Sequence, residues 1–423
     1  MIQDSTICFV IVGICIFLFV LRPFPNAVTA VLGCIALAAT GVSSLEEAFS
    51  GFSNSTVLLM FGMMVLGIAM QDTGVANLLG NSVARISKQN ERIFILSAGV
   101  MAALLSTFLS NTAVIAIFLP IIESVSKKMN RMNITLPVTM GAMFGGVCTL
   151  VGSTPQLTAN GILSEMCGTE LSMFSYTLPG ICITAVYMLY VETVGYKFGN
   201  RIWGDRIENS SAGTEDTDRP MDVQVTSKSW VIGGIFLLTM ISFIGGWISN
   251  AMTAVIAAVL CLITGCTTQK SVIKKMDWSV VFVLAGCLGL ASGISSSGAG
   301  EVMSEWISNI LPENVSAFSV FCFFVFLSMG ISNFITNSTA VVIVLPIALA
   351  LCNVRAFNPL AFTLGIVFAA NLSFSTPLAN AQTAMTLVAG YRFSDYIRYT
   401  WLLDILVYLA IILFVPLACP LAF

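Results

Sequence analysis

Histidine is absent from this 423-residue chain, and charged side chains make up only 9% of it. Without histidine the chain has no HExxH metalloprotease motif, no histidine-containing catalytic triad and no histidine proton relay. The sequence also lacks a GxxxxGK[ST] phosphate-binding loop, and its 12 cysteines include no CxxC pair. Most hydrolytic and metal chemistry is therefore excluded, and the cysteines, which lie within apolar stretches, are predicted to be small buried residues.

Hydrophobic residues make up 57% of the chain, and its mean hydropathy is +0.94. Such a sequence has too little polar surface for a soluble protein. Apolar stretches recur at roughly the 20 residues that a helix needs to cross a bilayer, whereas barrel strands would alternate over shorter stretches. The first stretch is also taken as a span, since Asp4 replaces the positive charge expected of a signal peptide. We therefore predict an all-α, polytopic membrane protein.

The two halves of the chain resemble each other. NAVTAVLGCIALAATG (26–41) matches NAMTAVIAAVLCLITG (250–265) at an offset of 224, and SNTAVIAIFLP (110–120) matches TNSTAVVIVLP (336–346) at an offset of 226. The turns GSTP (152–155) and FSTP (374–377), aligned at an offset of 223, place Gly152 and Ser153 opposite Ser375 and Thr376. FSYT (174–177) and IRYT (397–400) give a fourth match in the same order. We infer two structural repeats joined by a polar linker.

Each half is predicted to contain five crossings and one apolar segment with a Ser/Asn/Thr cluster at its centre. In the first half the crossings are placed at 6–22, 26–42, 55–73, 134–166 and 172–198, with the clustered segment at 92–125. Because five is odd, the second repeat should be inverted relative to the first. The inverted arrangement places both chain termini outside the cytoplasm and the central linker inside it.

The charges fit this arrangement if both clustered segments are re-entrant hairpins. Of the 18 Lys and Arg residues, only Arg355 then falls outside the cytoplasm, as the positive-inside rule requires. The exterior loops carry acidic residues instead: Glu46, Glu47, Glu165, Glu170, Glu301, Glu305 and Glu313. Hairpins that crossed the membrane fully would lose this sorting, so the charges favour re-entry.

The polar clusters need hydrogen-bond partners, because an unsatisfied polar group in hydrocarbon costs several kcal/mol. One isolated Ser-Asn-Thr triplet would be assigned to helix packing. Repetition in register, each time with a Ser/Thr-Pro turn downstream, favours broken helices around a binding site near the midplane. The acidic residues Asp72, Glu123, Glu192 and Asp404 lie towards predicted span ends and lack counterparts in the other half, so we expect interfacial or capping roles for them.

These motifs, together with AFSGFSNSTV (48–57), resemble the divalent anion/sodium symporter (DASS) family of the ion transporter superfamily. The resemblance covers nearly the whole chain. It implies Na⁺-coupled uptake of a dicarboxylate, tricarboxylate or sulfate by a homodimer with an elevator mechanism. It implies neither an enzymatic activity, an organic cofactor nor a nucleic-acid partner. The short loops and short chain separately favour a bacterial inner membrane.

Carried over by position, the family motifs imply at least two sodium sites and one anion site. The first sodium site would use Ser106, Ser110, Asn111 and Gly152, and the second Ser332, Asn337 and Ser375. The substrate would be bound by Asn111, Thr112, Ser153, Asn337, Ser338 and Thr376. The usual Pro-Pro-Asn after each turn is replaced here by Thr154-Pro155-Gln156 and Pro377-Leu378-Ala379, which leaves the identity of the anion open.

The resemblance also implies a division of each repeat into scaffold and transport parts. Residues 1–200 form the first repeat, with scaffold helices at 1–90 and the transport hairpin and broken helix at 91–200. The cytoplasmic linker spans 201–229. The second repeat, 230–423, has scaffold helices at 230–312 and its transport part at 313–423. A C4-dicarboxylate is the expected substrate; a Na⁺/H⁺ antiporter, an oxyanion efflux protein and a dicarboxylate exchanger are the alternatives.

Overall fold

The computed structural model describes residues 2–75, 90–125, 129–204, 227–300, 302, 315–377 and 380–422. Within these ranges every regular element is a helix, apart from an isolated bridge between Phe357 and Ala422. Most of the linker lies outside them, as do several charged residues of the orientation argument: Arg85, Lys88, Lys127, Lys128, Glu301, Glu305 and Glu313. The prediction of an all-α fold is confirmed for the described chain.

The first half contributes eight long helices to the described structure. They are α1 (Ile2–Leu21), α2 (Asn26–Ala39), α3 (Ser55–Asp72), α4 (Glu91–Ser106), α5 (Asn111–Val125), α6 (Arg131–Gly146), α7 (Thr154–Cys167) and α8 (Thr177–Trp203). Asparagine side chains begin three of them: Asn54, Asn90 and Asn130 accept hydrogen bonds from the first-turn N–H groups of α3, α4 and α6. Such caps satisfy donors that have no partner within the helix.

The second half repeats this order with seven long helices. They are α9 (Ser227–Gly245), α10 (Asn250–Ile263), α11 (Trp278–Ser296), α12 (Ala317–Ser332), α13 (Asn337–Arg355), α14 (Pro359–Asn371) and α15 (Phe393–Ala418). Both hairpins open between equivalent residues, since Ser106 and Ser332 end their first arms and Asn111 and Asn337 begin their second arms. The predicted internal repeat is therefore present in the helix boundaries.

The crossing placed at 134–166 consists of two helices, as its Ser/Thr-Pro turn predicted. Residues 147–153 separate α6 from α7, and in the second half residues 372–380 separate α14 from the short helix Ala381–Met385. Pro155, next to the start of α7, has no N–H, a loss that a helix tolerates in its first turn. Each half thus has a hairpin and a broken helix.

The two repeats pack against each other through reciprocal contacts. A Cβ on Gly62 of α3 would lie 2.4 Å from the carbonyl carbon of Ala254 in α10, and one on Gly286 of α11 would lie 2.7 Å from the Cβ of Ala30 in α2. Gly62 and Gly286 occupy equivalent repeat positions, as do Ala30 and Ala254. The same close helix contact therefore occurs twice with the halves exchanged, which is what pseudo-twofold symmetry produces.

Seven of the described helices are long and apolar enough to cross a membrane: α1, α3, α8, α9, α11, α13 and α15. The shorter apolar helices include α2 and α10, with 14 residues each. At 1.5 Å per residue these two are about 21 Å long. The arms of the first hairpin have 16 and 15 residues, about 24 and 23 Å, so each is shorter than the roughly 30 Å hydrocarbon core of a bilayer.

Candidate functional site

Each hairpin tip contains the same hydrogen bond between a serine and an asparagine. Ser106 Oγ donates to Asn111 Oδ1 over 2.5 Å, and Ser332 Oγ donates to Asn337 Oδ1 over 3.0 Å. Both serines are fully buried, and both asparagines are more than nine-tenths buried. The structure therefore brings together, in each half, one hydroxyl and one amide oxygen of the predicted sodium ligands.

Two glycines allow the first tip to approach the break between α6 and α7. A Cβ at Gly146 would lie 2.1 Å from Asn111 Oδ1, and a Cβ at Gly152 would lie 2.2 Å from the carbonyl oxygen of Gly146. Real Cβ atoms do not come this close to other atoms, so only glycine fits at either position. Asn111 is thereby packed against a stretch of backbone that is free of side chains.

The broken helices are bonded to the hairpin tips through equivalent contacts. Thr149 Oγ1 donates to the carbonyl oxygen of Thr107, and Thr376 Oγ1 donates to that of Asn333, the residue at the repeat position of Thr107. The hydroxyl of Thr376 is therefore used to hold the loop against the second tip. This differs from the sequence alignment, which placed Thr376 opposite Ser153 and at the substrate.

A cavity of about 470 Å³ lies between the two tips. Its wall includes most of the residues predicted for the substrate and the first sodium site: Ser110, Asn111, Thr112, Gly152, Ser153, Asn337 and Ser338. Met60, Met63 and Gly67 of α3 form part of the facing wall. Ser106 and Ser332 are buried outside the lining, and neither Ser375 nor Thr376 belongs to it.

Three helices begin at this cavity. Asn111 and Asn337 are the first residues of α5 and α13, and Ser153 immediately precedes α7. The N-terminal N–H groups of a helix have no partner within the helix and carry partial positive charge, so they attract anions. The Ser153 side chain makes no cap hydrogen bond, which leaves the first N–H groups of α7 available.

A contact between the halves at the cavity was missed by sequence reasoning. Ser153 Oγ donates to Asn371 Oδ1 over 2.7 Å, and Asn371 is the buried last residue of α14. Both residues line the cavity. Asn371 lies outside the repeated motifs, so only its position before the FSTP turn could have suggested a role.

Gln156, in the first turn of α7, bonds to the backbone of the break between α6 and α7. It is fully buried, and its Nε2 donates to the carbonyl oxygens of Gly146 over 3.1 Å and Thr149 over 2.7 Å. Buried carbonyl groups without partners are costly. The Gln156 side chain thus satisfies two backbone carbonyl oxygens in the loop between α6 and α7.

Charged residues contribute little to the cavity. Within the described chain the lining contains Lys275 and Asp277, both near the start of α11. Lys275 Nζ pairs with the carboxylate of Asp72, whose Oδ2 also accepts a hydrogen bond from Thr267 over 2.6 Å. Asp72 is the last residue of α3, so the expected interfacial role agrees with its place.

Asp404 does not fit the expectation that it lies near a span end. It is well inside α15, and its Oδ2 accepts a hydrogen bond from the Ser375 hydroxyl. Glu192 likewise lies within α8 instead of near its end, but it has a cationic partner, Arg92, at 2.8 Å. The crossing predicted at 172–198 has the same length as α8 but begins five residues earlier, which placed Glu192 nearer to a span end.

The arrangement suits cations and anions that are bound without acidic or basic ligands at the tips. Hydroxyl, amide and backbone oxygens are hard ligands of the type that cations without d-electron preferences accept. The three helix N-termini supply N–H donors for an anion within the same cavity. We find no cluster of three His, Cys, Asp or Glu side chains in the described residues that would bind a transition metal.

The fold and this site define a polytopic helical membrane transporter. The model of the CitMHS family, described as citrate transporter, matches residues 16–333, more than half of the chain. The chain therefore belongs to the CitMHS citrate transporter family, and the family resemblance seen in its motifs is confirmed.

Curated relatives align over most of their length. The sodium-dependent dicarboxylate transporter SdcS of Staphylococcus saprophyticus is 24% identical over 414 residues, which cover 88% of this chain and 78% of SdcS. An uncharacterized transporter of Haemophilus influenzae is 23% identical over 398 residues, covering 89% of this chain and 84% of the relative.

Two solved transporters share the fold. The YdaH transporter of Alcanivorax borkumensis superimposes with a TM-score of 0.62 at 12% identity, over 88% of this chain and 86% of YdaH. MtrF of Neisseria gonorrhoeae, described as belonging to a class of antimetabolite efflux pumps, gives a TM-score of 0.61 at 9% identity, over 92% and 84% of the two chains. These similarities concern the fold alone.

Proposed function

We propose that this transporter couples inward Na⁺ movement to the uptake of a small dianion, with a C4-dicarboxylate as its principal substrate. The observation that carries the proposal is the duplicated Ser–Asn hydrogen bond at two helix N-termini that meet at one cavity. Duplicated oxygen ligands provide two equivalent cation sites, and the shared cavity provides one anion site between them. The sodium-dependent dicarboxylate relative supports the same pairing of ions.

The first cation site consists of Ser106, Ser110, Asn111 and the Gly152 backbone, and the second of Ser332, Asn337 and the Ser375 backbone. Each asparagine has a role that a hydroxyl cannot fill, because its oxygen binds a cation while its NH₂ group donates to the anion. The anion is bound by Asn111, Thr112, Ser153, Asn337 and Ser338, all of which line the cavity. Thr376 is omitted because it does not line the cavity.

Cations and helix N-termini together neutralise the anion. Two charges at 4 Å attract each other by about 4 kcal/mol at an effective dielectric constant of about 20. Bound Na⁺ therefore raises anion affinity, and by linkage the anion raises Na⁺ affinity by the same factor. This reciprocity makes uptake depend on Na⁺ without a basic side chain at the tips.

The transport parts of the two repeats, at 91–200 and 313–423, move against the scaffold helices in an elevator motion. The cavity supports this division, since the hairpins form one wall and α3 with the start of α11 forms the other. Lys275, which lines the cavity, has a side chain that is 44% exposed. Because the charge argument places Lys275 on the cytoplasmic side, we propose that this state faces inward.

The chain works as a homodimer in a bacterial inner membrane, with both termini outside and the linker inside. Orientation can be tested by labelling single cysteines with an impermeant reagent in a cysteine-free variant. A cysteine at 355 should react only from outside and one at 274 only from the cytoplasm. The opposite pattern would refute the inverted arrangement, and crosslinking in intact membranes would test the dimer.

Uptake by proteoliposomes tests the transport reaction. With an inward Na⁺ gradient we expect accumulation of labelled succinate, reduced by unlabelled transported anions in a competition series of malate, citrate, tartrate and sulfate. The same gradient with K⁺ in place of Na⁺ should give no accumulation. A pH change driven by Na⁺ alone would instead identify an antiporter, and uptake that requires an internal anion would identify an exchanger.

Replacing each motif asparagine by aspartate tests the two roles of its amide. Asn111→Asp and Asn337→Asp add a negative charge beside the anion, so anion affinity should fall at least tenfold while Na⁺ binding is retained. Asn90→Asp is the matched control, because Asn90 caps α4 with its oxygen and aspartate caps a helix equally well. Anion and Na⁺ titrations by calorimetry give both affinities. Wild-type anion affinity in both folded motif variants would remove these residues from the site.

A further inference from the structure

Asp404 forms a cluster of oxygen atoms with two hydroxyl groups beside the second hairpin. Ser375 Oγ donates to Asp404 Oδ2, and Thr400 Oγ1 lies 3.4 Å from the same carboxylate oxygen. The hydroxyls of Ser375 and Thr400 are themselves 3.4 Å apart. The three oxygens therefore form a triangle, supplied by the break after α14 and by α15.

The carboxylate of Asp404 has no compensating charge in the described part of the chain. None of the ion pairs there involves Asp404, and its Oδ1 atom is buried without a hydrogen-bond partner. Asp404 is only half-buried as a residue, but a charge with one oxygen buried and no counter-ion still bears a desolvation cost, and neutral hydroxyls offset only part of this. Three other acidic residues of long helices, Asp72, Glu123 and Glu192, each pair with a Lys or Arg.

Two of the three oxygen–oxygen spacings in this triangle suit a cation, while the third is the shorter Ser375–Asp404 hydrogen bond. Oxygen ligands at about 2.4 Å from a metal ion, as in Ca²⁺ sites, lie about 3.4 Å apart when they are neighbours in an octahedron. Two sides of the triangle have this length. The free Oδ1 atom and backbone carbonyls of the break can supply further ligands to an ion above the triangle.

We propose that Asp404, Ser375 and Thr400 form a third cation site, which binds Na⁺ and is separate from the two sites at the hairpin tips. Ser375 links it to the second tip, because its backbone N–H donates to Asn333 Oδ1 over 3.1 Å. A cation on the Ser375 hydroxyl therefore affects the same loop whose backbone serves the second site. The first half has no equivalent, since the repeat places Ile181 opposite Asp404.

This inference adds an ion to the proposed symport, but it can be tested without any transport measurement. Equilibrium binding of ²²Na⁺ to the purified full-length protein in nanodiscs, with no anion present, counts the ions bound per protomer. Asp404→Asn should bind one Na⁺ fewer than the wild type. Glu192→Gln is the matched control, because it removes a carboxylate from α8, the repeat counterpart of α15, and should leave the count unchanged.

Two further variants decide the matter if Asp404→Asn does not fold. Thr400→Val and Ser375→Ala each remove one oxygen from the triangle, and Ser375→Ala keeps the backbone carbonyl of the second site. Loss of one ligand to a charged group should weaken Na⁺ binding at one site about tenfold or more. Thermal unfolding of each variant provides the folding control.

The outcomes separate this site from the proposed transport reaction. The third site is overturned if folded Asp404→Asn binds as many Na⁺ ions as the wild type with equal affinity. If Asp404→Asn does not fold, the same result in both Thr400→Val and Ser375→Ala overturns it. Either conclusion holds whatever the uptake assay gives. Loss of one Na⁺ in a protein that shows no Na⁺-dependent uptake supports the site and refutes the symport. A wild type that binds no Na⁺ overturns both.

Discussion

Substituting Gly146 by alanine isolates the first cation site from the second. Gly146 ends α6, and a Cβ at this position would lie 2.1 Å from Asn111 Oδ1, 2.9 Å from its Cγ and 3.0 Å from its Nδ2. The added methyl group would therefore meet the whole amide of Asn111. The equivalent bond between Ser332 and Asn337 lies in the other half and has no part in this clash.

The size of the effect follows from the displacement that the clash requires. Restoring a contact of about 3.0 Å moves Asn111 Oδ1 by about 1 Å, which disrupts its 2.5 Å hydrogen bond with Ser106. A misplacement of about 1 Å can cost on the order of 100-fold in a positioned site, and an unsatisfied buried donor costs about 1–3 kcal/mol. We therefore expect Na⁺ affinity at this site to fall by about 10- to 100-fold.

Calorimetric Na⁺ titration of Gly146→Ala and wild type measures this loss, and thermal unfolding checks the fold. Gly99→Ala in α4 is the matched control, because the nearest atom to its Cβ would be Met188 Cε at an ordinary 3.8 Å. Gly99→Ala should bind Na⁺ like the wild type. If folded Gly146→Ala also binds every Na⁺ with wild-type affinity, the amide of Asn111 is not a cation ligand.

Three other substitutions test separate parts of the structure. Gly286→Ala forces a methyl group to within 2.7 Å of Ala30 and should destabilise the protein by about 1–3 kcal/mol; an unchanged unfolding temperature would contradict the reciprocal helix contact. Gln156→Leu strands two buried carbonyl oxygens, so unfolding stability should fall by about 1–3 kcal/mol for each, and retained stability would contradict this. Ser153→Ala removes the hydrogen bond to Asn371 and should raise the KM for the anion about 2- to 10-fold. The Na⁺ affinity measured without anion should not change. An unchanged KM would place Ser153 outside the anion site.

The helix breaks at the hairpin tips could be predicted because the sequence contains two copies of them. A polar triplet in an apolar stretch is ambiguous when it occurs once, but its recurrence at an offset of 226 identifies a position that both repeats need. The observed helix ends at Ser106 and Ser332 agree with this interpretation. Local motifs are sufficient here because each break is set by a few consecutive residues.

Contacts between distant segments could not be predicted in the same way. The approach of Asn111 to Gly146 and the bond between Ser153 and Asn371 join residues that are 35 and 218 positions apart. Hydrophobic periodicity gives the position of each helix but not which glycine faces which side chain. The break at 147–153 was predicted from its Ser/Thr-Pro turn, but its bounds required the structure, since a broken apolar helix and a continuous one have nearly the same composition.

The search for repeats also concealed one residue. Asp404 was set aside because it has no acidic counterpart in the first half, yet the structure places its carboxylate against the FSTP turn. A site that is present in only one repeat cannot be found by comparing the two halves. Burial without a counter-ion is the physical signal that identifies such a residue, and it requires the structure.

The two equivalent tip sites and Asp404, which has no counterpart in the first half, together define the charge balance of the proposed cycle. Two Na⁺ ions at the equivalent tips neutralise a dianion, so the symmetric part of the site can cross the membrane without net charge. Asp404 adds one negative charge that has no partner in the empty carrier, and a third Na⁺ neutralises it. Desolvating an uncompensated charge is expensive, so the fully loaded transport part is the form that moves most easily.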